Sequence, residues 1–139
     1  RVKGRKRHLL VDTQGLVLNA VVSEANIDDR EIAQWLLQSA QAQLPRLKLI
    51  WVDAGYQGQR FLDRFPLRTG VHLQVVKRPS QQPHFQVLPK RWIVERTFAW
   101  LGNARRLAKD YELYLKSSTA MIYAAMTRLM LRQLARFPT

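Results

Sequence analysis

Leu49-Ile50-Trp51-Val52-Asp53-Ala54-Gly55-Tyr56 decides the architecture. Four large apolar side chains in a row, β-branched and aromatic among them, are too few for a helix and predict a buried strand. The strand ends on a lone carboxylate, Asp53, followed by the small residues Ala54 and Gly55. On its N-terminal side Asp28, with Glu31 three residues on, opens a helix in a capping-box arrangement. Ile32, Trp35, Leu36 and Ser39 continue that helix at helical spacing, and Pro45 bounds it. On its C-terminal side residues 57–65 predict a short helix stopped by Pro66, and 71–76 a further strand.

The flanks complete the order. His8-Leu9-Leu10-Val11 and Leu16 to Val22 enclose Asp12-Thr13-Gln14-Gly15, a hairpin whose turn places Gly where positive φ is needed and uses Asp12 as a turn residue. Residues 77–90 hold Pro79, Pro83 and Pro89 and predict a loop, with Pro89 suited to the first turn of the next helix. That helix spans about Lys90 to Ala108. A last one, from about Ser118 to Arg136, is expected to bury Ile122, Met126, Leu129 and Met130. A hairpin followed by alternating helices and strands implies α/β architecture, a mixed sheet with helices packed on it, in one domain over residues 1–139.

Charge narrows the partners. With 23 Lys and Arg against 10 Asp and Glu, the chain carries a formal net charge of +13. Such an excess draws polyanions at long range and binds phosphate backbones in a salt-sensitive way; a basic component of a larger assembly is the plainer alternative. The absence of cysteine excludes disulfides and thiolate metal sites. His8, His72 and His84 are far apart, lack ligand spacing, and read as surface or sheet residues. No signal peptide is visible and Arg128 interrupts the longest C-terminal apolar run, which fits a cytosolic protein.

Two carboxylates are candidates for chemistry. Two-metal phosphoryl transfer needs acids converging on two ions about 4 Å apart, and oxygen ligands suit Mg²⁺ or Mn²⁺. Asp53 qualifies by position, since open α/β sheets bind ligands at the C-terminal ends of their strands. An Asp before Gly is, by itself, more often a turn residue. Glu95 stands in the helical stretch Arg91-Trp92-Ile93-Val94-Glu95-Arg96-Thr97-Phe98-Ala99-Trp100. A surface Arg91–Glu95 ion pair, worth a few tenths of a kcal/mol, is its ordinary explanation. Yet Lys77, Arg78, Lys90, Arg91, Arg96, Arg105, Arg106 and Lys109 surround that single acid between residues 77 and 109. Bases could hold a DNA backbone while Glu95 holds a metal ion. Trp92, Phe98 and Trp100 could stack on unpaired bases, although helical spacing places at least two of the three in the core.

Lys3 to Leu16, Val52-Asp53-Ala54-Gly55-Tyr56, Arg91 to Leu101, and Arg105 to Glu112 together resemble the C-terminal half of the DDE transposases of bacterial insertion sequences. The resemblance covers nearly the whole chain, in order. It implies a ribonuclease H-like fold with flanking helices and a triad of two Asp and one Glu holding two divalent ions, Mg²⁺ or Mn²⁺. It further implies cleavage of DNA at insertion-sequence ends followed by attack of the freed 3′-OH on target DNA. Asp53 matches the second Asp, and Glu95 the Glu, as catalytic and metal-holding residues. Lys77, Arg78, Lys90, Arg91, Arg105, Arg106 and Lys109 are the DNA-contacting candidates. Within the signature Tyr-x2-Arg-x3-Glu-x6-Lys, Arg91 and Glu95 match, Leu88 replaces the Tyr, and Gly102 replaces the Lys. Arg106, one turn beyond Gly102 on the same face, is a candidate substitute cation. The resemblance also implies a cytoplasmic, nucleoid-associated protein and homodimers on paired ends.

The family's first Asp lies on the first, central strand, which would precede Arg1. That strand would pair with the hairpin near Leu10 on one side and with the Asp53 strand on the other. Its absence is expected to leave two unpaired edges. Two functions follow: the catalytic-core portion of a transposase, active in a complete chain and inactive as these 139 residues, or a truncated remnant that binds DNA nonspecifically without catalysis.

Overall fold

The computed structural model describes residues 4–53, 56, 70–76 and 90–136, Arg91 by its backbone alone. The helix expected over 57–65 and most of the proline-containing loop, with Lys77, Arg78 and His84, lie outside the described residues. The elements are β1 (Arg5–Val11), β2 (Val17–Glu24), α1 (Asp29–Gln43), β3 (Leu49–Asp53), β4 (His72–Val76), α2 (Arg91–Gly102), a 3-10 turn (Arg105–Leu107) and α3 (Leu115–Leu134). The chain is therefore α/β. It divides into two compact units, one of residues 1–27 and 93–139, the other of residues 28–92.

In the first unit β1 and β2 form an antiparallel hairpin, Arg5 opposite Glu24 and Leu9 opposite Ala20, with an irregularity between Leu10 and Val11. Asp12 makes the turn. Its Oδ1 accepts the amides of Gln14 and Leu16, each at 2.9 Å, while Gly15 takes φ +86°. Glycine is required there twice over, because a Cβ would also lie 2.9 Å from the Thr97 hydroxyl. Ala20 and Val22 on β2 pack with Leu101, Leu107, Ile122 and Met126 in one core cluster. Ser118, Ile122 and Met126 recur every fourth residue and form the buried stripe of α3. Leu129 packs against the cluster, but Met130 is exposed: the final turns, with Leu131 and Leu134 also exposed, lack apolar cover. The helix begins at Leu115, three residues before the expected Ser118.

The core side of α2 also departs from expectation. Its buried residues are Ile93, Thr97 and Leu101, whereas Trp92 and Phe98 are exposed and Trp100 half-buried. None of the three aromatics enters the core. The Thr97 hydroxyl explains the polar residue in mid-stripe: fully buried, it donates to the Gly15 carbonyl at 2.7 Å, locking α2 onto the hairpin turn. The helix stops at Gly102 rather than near Ala108, so that glycine sits at its end, where the interior penalty does not apply.

In the second unit Asp28 is the N-cap of α1, its carboxylate accepting the Arg30 amide at 2.8 Å. The buried stripe is Ala33, Leu36, Leu37 and Ala40; Trp35, expected on it, is 55% exposed. β3 and β4 pair in parallel, Leu49 opposite His72 and Asp53 opposite Val76. The Trp51 indole donates to Gln74 Oε1 across the pair at 3.0 Å. β3 is less buried than its composition implies. Ile50 is enclosed and Leu49 is exposed, because among the described residues β3 has one strand neighbour rather than two.

Candidate functional site

Asp53 is the last residue of β3 and is exposed. Its charge is felt by Tyr56. Burial pushes the Tyr56 phenol above its ordinary value, and the negative charges of Asp29 and Asp53 push it the same way. The end of β3 is thus acidic from two sources. Asp29 stands in the first turn of α1, where the helix dipole favours a carboxylate. Sequence reasoning missed it because Asp28-Asp29 is explained locally by the helix start.

Glu95 is exposed in the second turn of α2. It lies two residues from Thr97, about 200° around the helix, and so turns away from the buried stripe. Phe98 and Ala99 share this outward side, and Trp92 is exposed one turn earlier. The aromatics expected in the core therefore flank Glu95 on the surface. Asp53 belongs to the second unit and Glu95 to the first. Each is placed by a firm local device: the register with Val76 for one, the Thr97–Gly15 hydrogen bond for the other.

The cations divide into engaged and open ones. The Lys90 ammonium lies 3.6 Å from the centre of the Trp51 ring, a cation–π contact that helps offset a left-handed backbone (φ +71°). Arg106 pairs with the Glu112 carboxylate, Nε at 3.1 Å. Arg96 donates to the Gln14 carbonyl at 2.6 Å and covers the Trp100 ring at 4.7 Å. Arg5 and Arg7 bond to the 107–113 segment: Arg5 to Asp110 and to two carbonyls, Arg7 to the carbonyls of Leu107 and Lys109. The side chains of Arg105 and Lys109, on exposed residues, have no partner among the described residues. Sequence reasoning also missed Arg128, Arg132 and Arg136, whose four-residue spacing was visible in the chain.

Exposed carboxylate oxygens are chemically suited to a hard divalent ion. Among the described residues no group of three or more His, Cys, Asp or Glu forms a metal cage. Nor is any described helix long and apolar enough to cross a membrane.

These features define an α/β protein with outward-facing carboxylates at a strand end and on a helix, set in a strongly cationic chain. Residues 1–130 match the family model of the transposase DDE domain, and the chain belongs to that family. A Burkholderia cepacia protein assigned as transposase of insertion sequence element IS402 is 34% identical over 122 residues, covering 78% of this chain and 54% of the relative. The chain thus spans about half the length of the curated relative it matches.

Proposed function

We propose that this chain is the part of an insertion-sequence transposase that carries Asp53 and Glu95 into the catalytic centre for cleaving DNA at element ends and joining them to target DNA. Family membership over residues 1–130 carries the reading. The strand edges support a ribonuclease H-like completion. The Ala20 amide lies 2.9 Å from the Tyr123 hydroxyl, and the Val22 amide donates to the Thr119 hydroxyl at 3.2 Å, so both point away from β1. Their cross-strand partners Leu9 and Arg7 must then present backbone groups on the opposite edge of β1, where no described residue meets them. β3 likewise has one strand neighbour among the described residues. Two open edges are what a central strand supplied by the rest of a transposase would fill.

In the complete protein Asp53 and Glu95 would hold Mg²⁺ or Mn²⁺. When bound, such ions acidify the attacking hydroxyl and neutralise charge on the phosphate. The chain's own residues do the positioning. The β3–β4 register fixes Asp53, and the turn-locked α2 fixes Glu95. Phe98 and Trp92 offer apolar faces for unpaired bases. Lys77, Arg78, Lys90, Arg91, Arg105, Arg106 and Lys109 supply cations for phosphates, with Lys90 and Arg106 first having to leave Trp51 and Glu112. Two copies would act on paired ends. The test is to express the complete reading frame and incubate it with labelled element ends. Nicking should require Mg²⁺ or Mn²⁺ and fall to background in Glu95→Gln; a fully active Glu95→Gln enzyme removes Glu95 from the site.

A further inference from the structure

A groove of about 740 Å³ runs between α3 and the 3-10 turn, wholly within the first unit. Arg105 and Arg106 stand on the side of the turn, Arg128, Arg132 and Arg136 on the side of α3, and no Asp or Glu lines it. Arg106 is committed to Glu112. The other four have no acidic partner among the described residues. Between the arginines the lining is mainly apolar, with Leu101, Met121, Ala125 and Leu129 beside the polar Asn103 and Gln133. Arg128 and Arg132 stand one turn apart on one side of the helix, and Arg136 follows four residues on, just past its end at Leu134. Like charges at that spacing repel one another, so the row gains from an anionic ligand.

We infer that this groove binds a single-stranded DNA segment, its phosphates on the arginines and its bases on the apolar floor. The inference rests on the DNA-handling reading above, shares Arg105 and Arg106 with it, and adds Arg128, Arg132 and Arg136. Planar guanidinium groups match phosphate oxygens two at a time. A duplex would satisfy the arginines but keep its bases stacked inside, leaving the apolar floor without a use. An unpaired strand uses both, its phosphates on the cations and its bases against the apolar side chains, with Trp100 in the lining for a base to stack on. An acidic amphipathic peptide is the competing occupant, and the +13 charge of a DNA transposase family member favours the nucleic acid.

Fluorescence anisotropy on the 139-residue chain tests it with three probes: labelled oligothymidylate, a duplex of equal length, and an oligoglutamate peptide. The single strand should bind more tightly than the duplex. Replacing Arg128→Gln and Arg132→Gln together should weaken single-strand binding roughly 20-fold at 0.1 M salt and lower the salt slope by about 1.4. The exposed pair Arg30→Gln and Arg46→Gln removes the same charge elsewhere and should cost clearly less. Ala124→Glu, an exposed position in the groove lining, gives a second variant expected to lose single-strand binding. Wild-type binding unchanged by the groove variants overturns the groove alone, as does tighter binding of the duplex or of oligoglutamate. No DNA binding by the wild-type chain in low salt overturns the groove together with the DNA-handling reading.

Discussion

Two strands of this chain run into an aspartate followed within three residues by a glycine, and the two acids sit in different settings. Asp12 follows β1 and spends its carboxylate on two amides of its own turn. Asp53 ends β3, is exposed, and directs its charge at Tyr56. The difference lies in what comes next. After Asp12 the chain reverses within four residues, so unpaired amides lie within reach of the carboxylate. After Asp53 the chain leaves a parallel pair whose return connection is long, and the β3–β4 register itself requires no turn at the aspartate. A turn that closes within four residues of a strand-end acid gives its carboxylate a structural task, as at Asp12; the parallel register at Asp53 sets no such task by itself.

The sharpest test is to neutralise each acid in turn. In the complete transposase Asp53→Asn should bring DNA nicking to background. Asp12→Asn should leave nicking near wild type at a temperature where both variants are folded. Equal losses from the two substitutions, measured on the same labelled ends, would break the distinction.

A smaller effect, on stability, sharpens the other side. The Asp12 turn is keyed to α2 through Gly15 and Thr97. Gly15→Ala meets both a left-handed φ and a hydroxyl at 2.9 Å, and should cost about 2 kcal/mol or more in urea unfolding. Thr97→Val removes a buried donor from the Gly15 carbonyl and should cost about 1–3 kcal/mol. Asp12→Ala, on a turn partly open to water, should cost about 1–2 kcal/mol. If Gly15→Ala proves neutral, the hairpin and α2 are not locked at this point.

These costs also show which parts of the molecule could be read from the chain. The hairpin and the start of α1 were legible because their causes are local: Asp12 and Gly15 within one turn, Asp28 at the head of a helix. The buried side of α2 was not. Trp92 and Phe98 look like core by size, and Thr97 looks like surface by polarity. Its hydroxyl reaches the Ile93 carbonyl one turn back at 3.0 Å and, more closely, the Gly15 carbonyl 82 positions away; no window along the helix contains the second. Asp53 and Glu95 were legible as candidates through the resemblance, but Asp29 was hidden by its ordinary fitness for a first helical turn. The arginines of α3 have a clear period, yet they share the helix with an apolar stripe whose period is the same.

The smallest expected effect concerns Tyr56. Its phenol is raised above the ordinary value first by burial and then by Asp29 and Asp53. In the folded protein the neutral phenol persists beyond pH 10, while the unfolded chain ionises near pH 10. Folding therefore holds a proton that unfolding releases. The associated stability is complete below the unfolded pKa and is lost as pH rises through the folded one. Tyr56→Phe should thus lose less stability than wild type between about pH 9 and 11, read as the difference in urea midpoints. Asp53→Asn in the Tyr56 background should lower the phenol's midpoint in an absorbance titration, by less than full exposure of the ring would. If the titration is indifferent to Asp53, the carboxylate does not face Tyr56. The electrostatic contrast between the two strand-end acids then collapses even if the catalytic one survives.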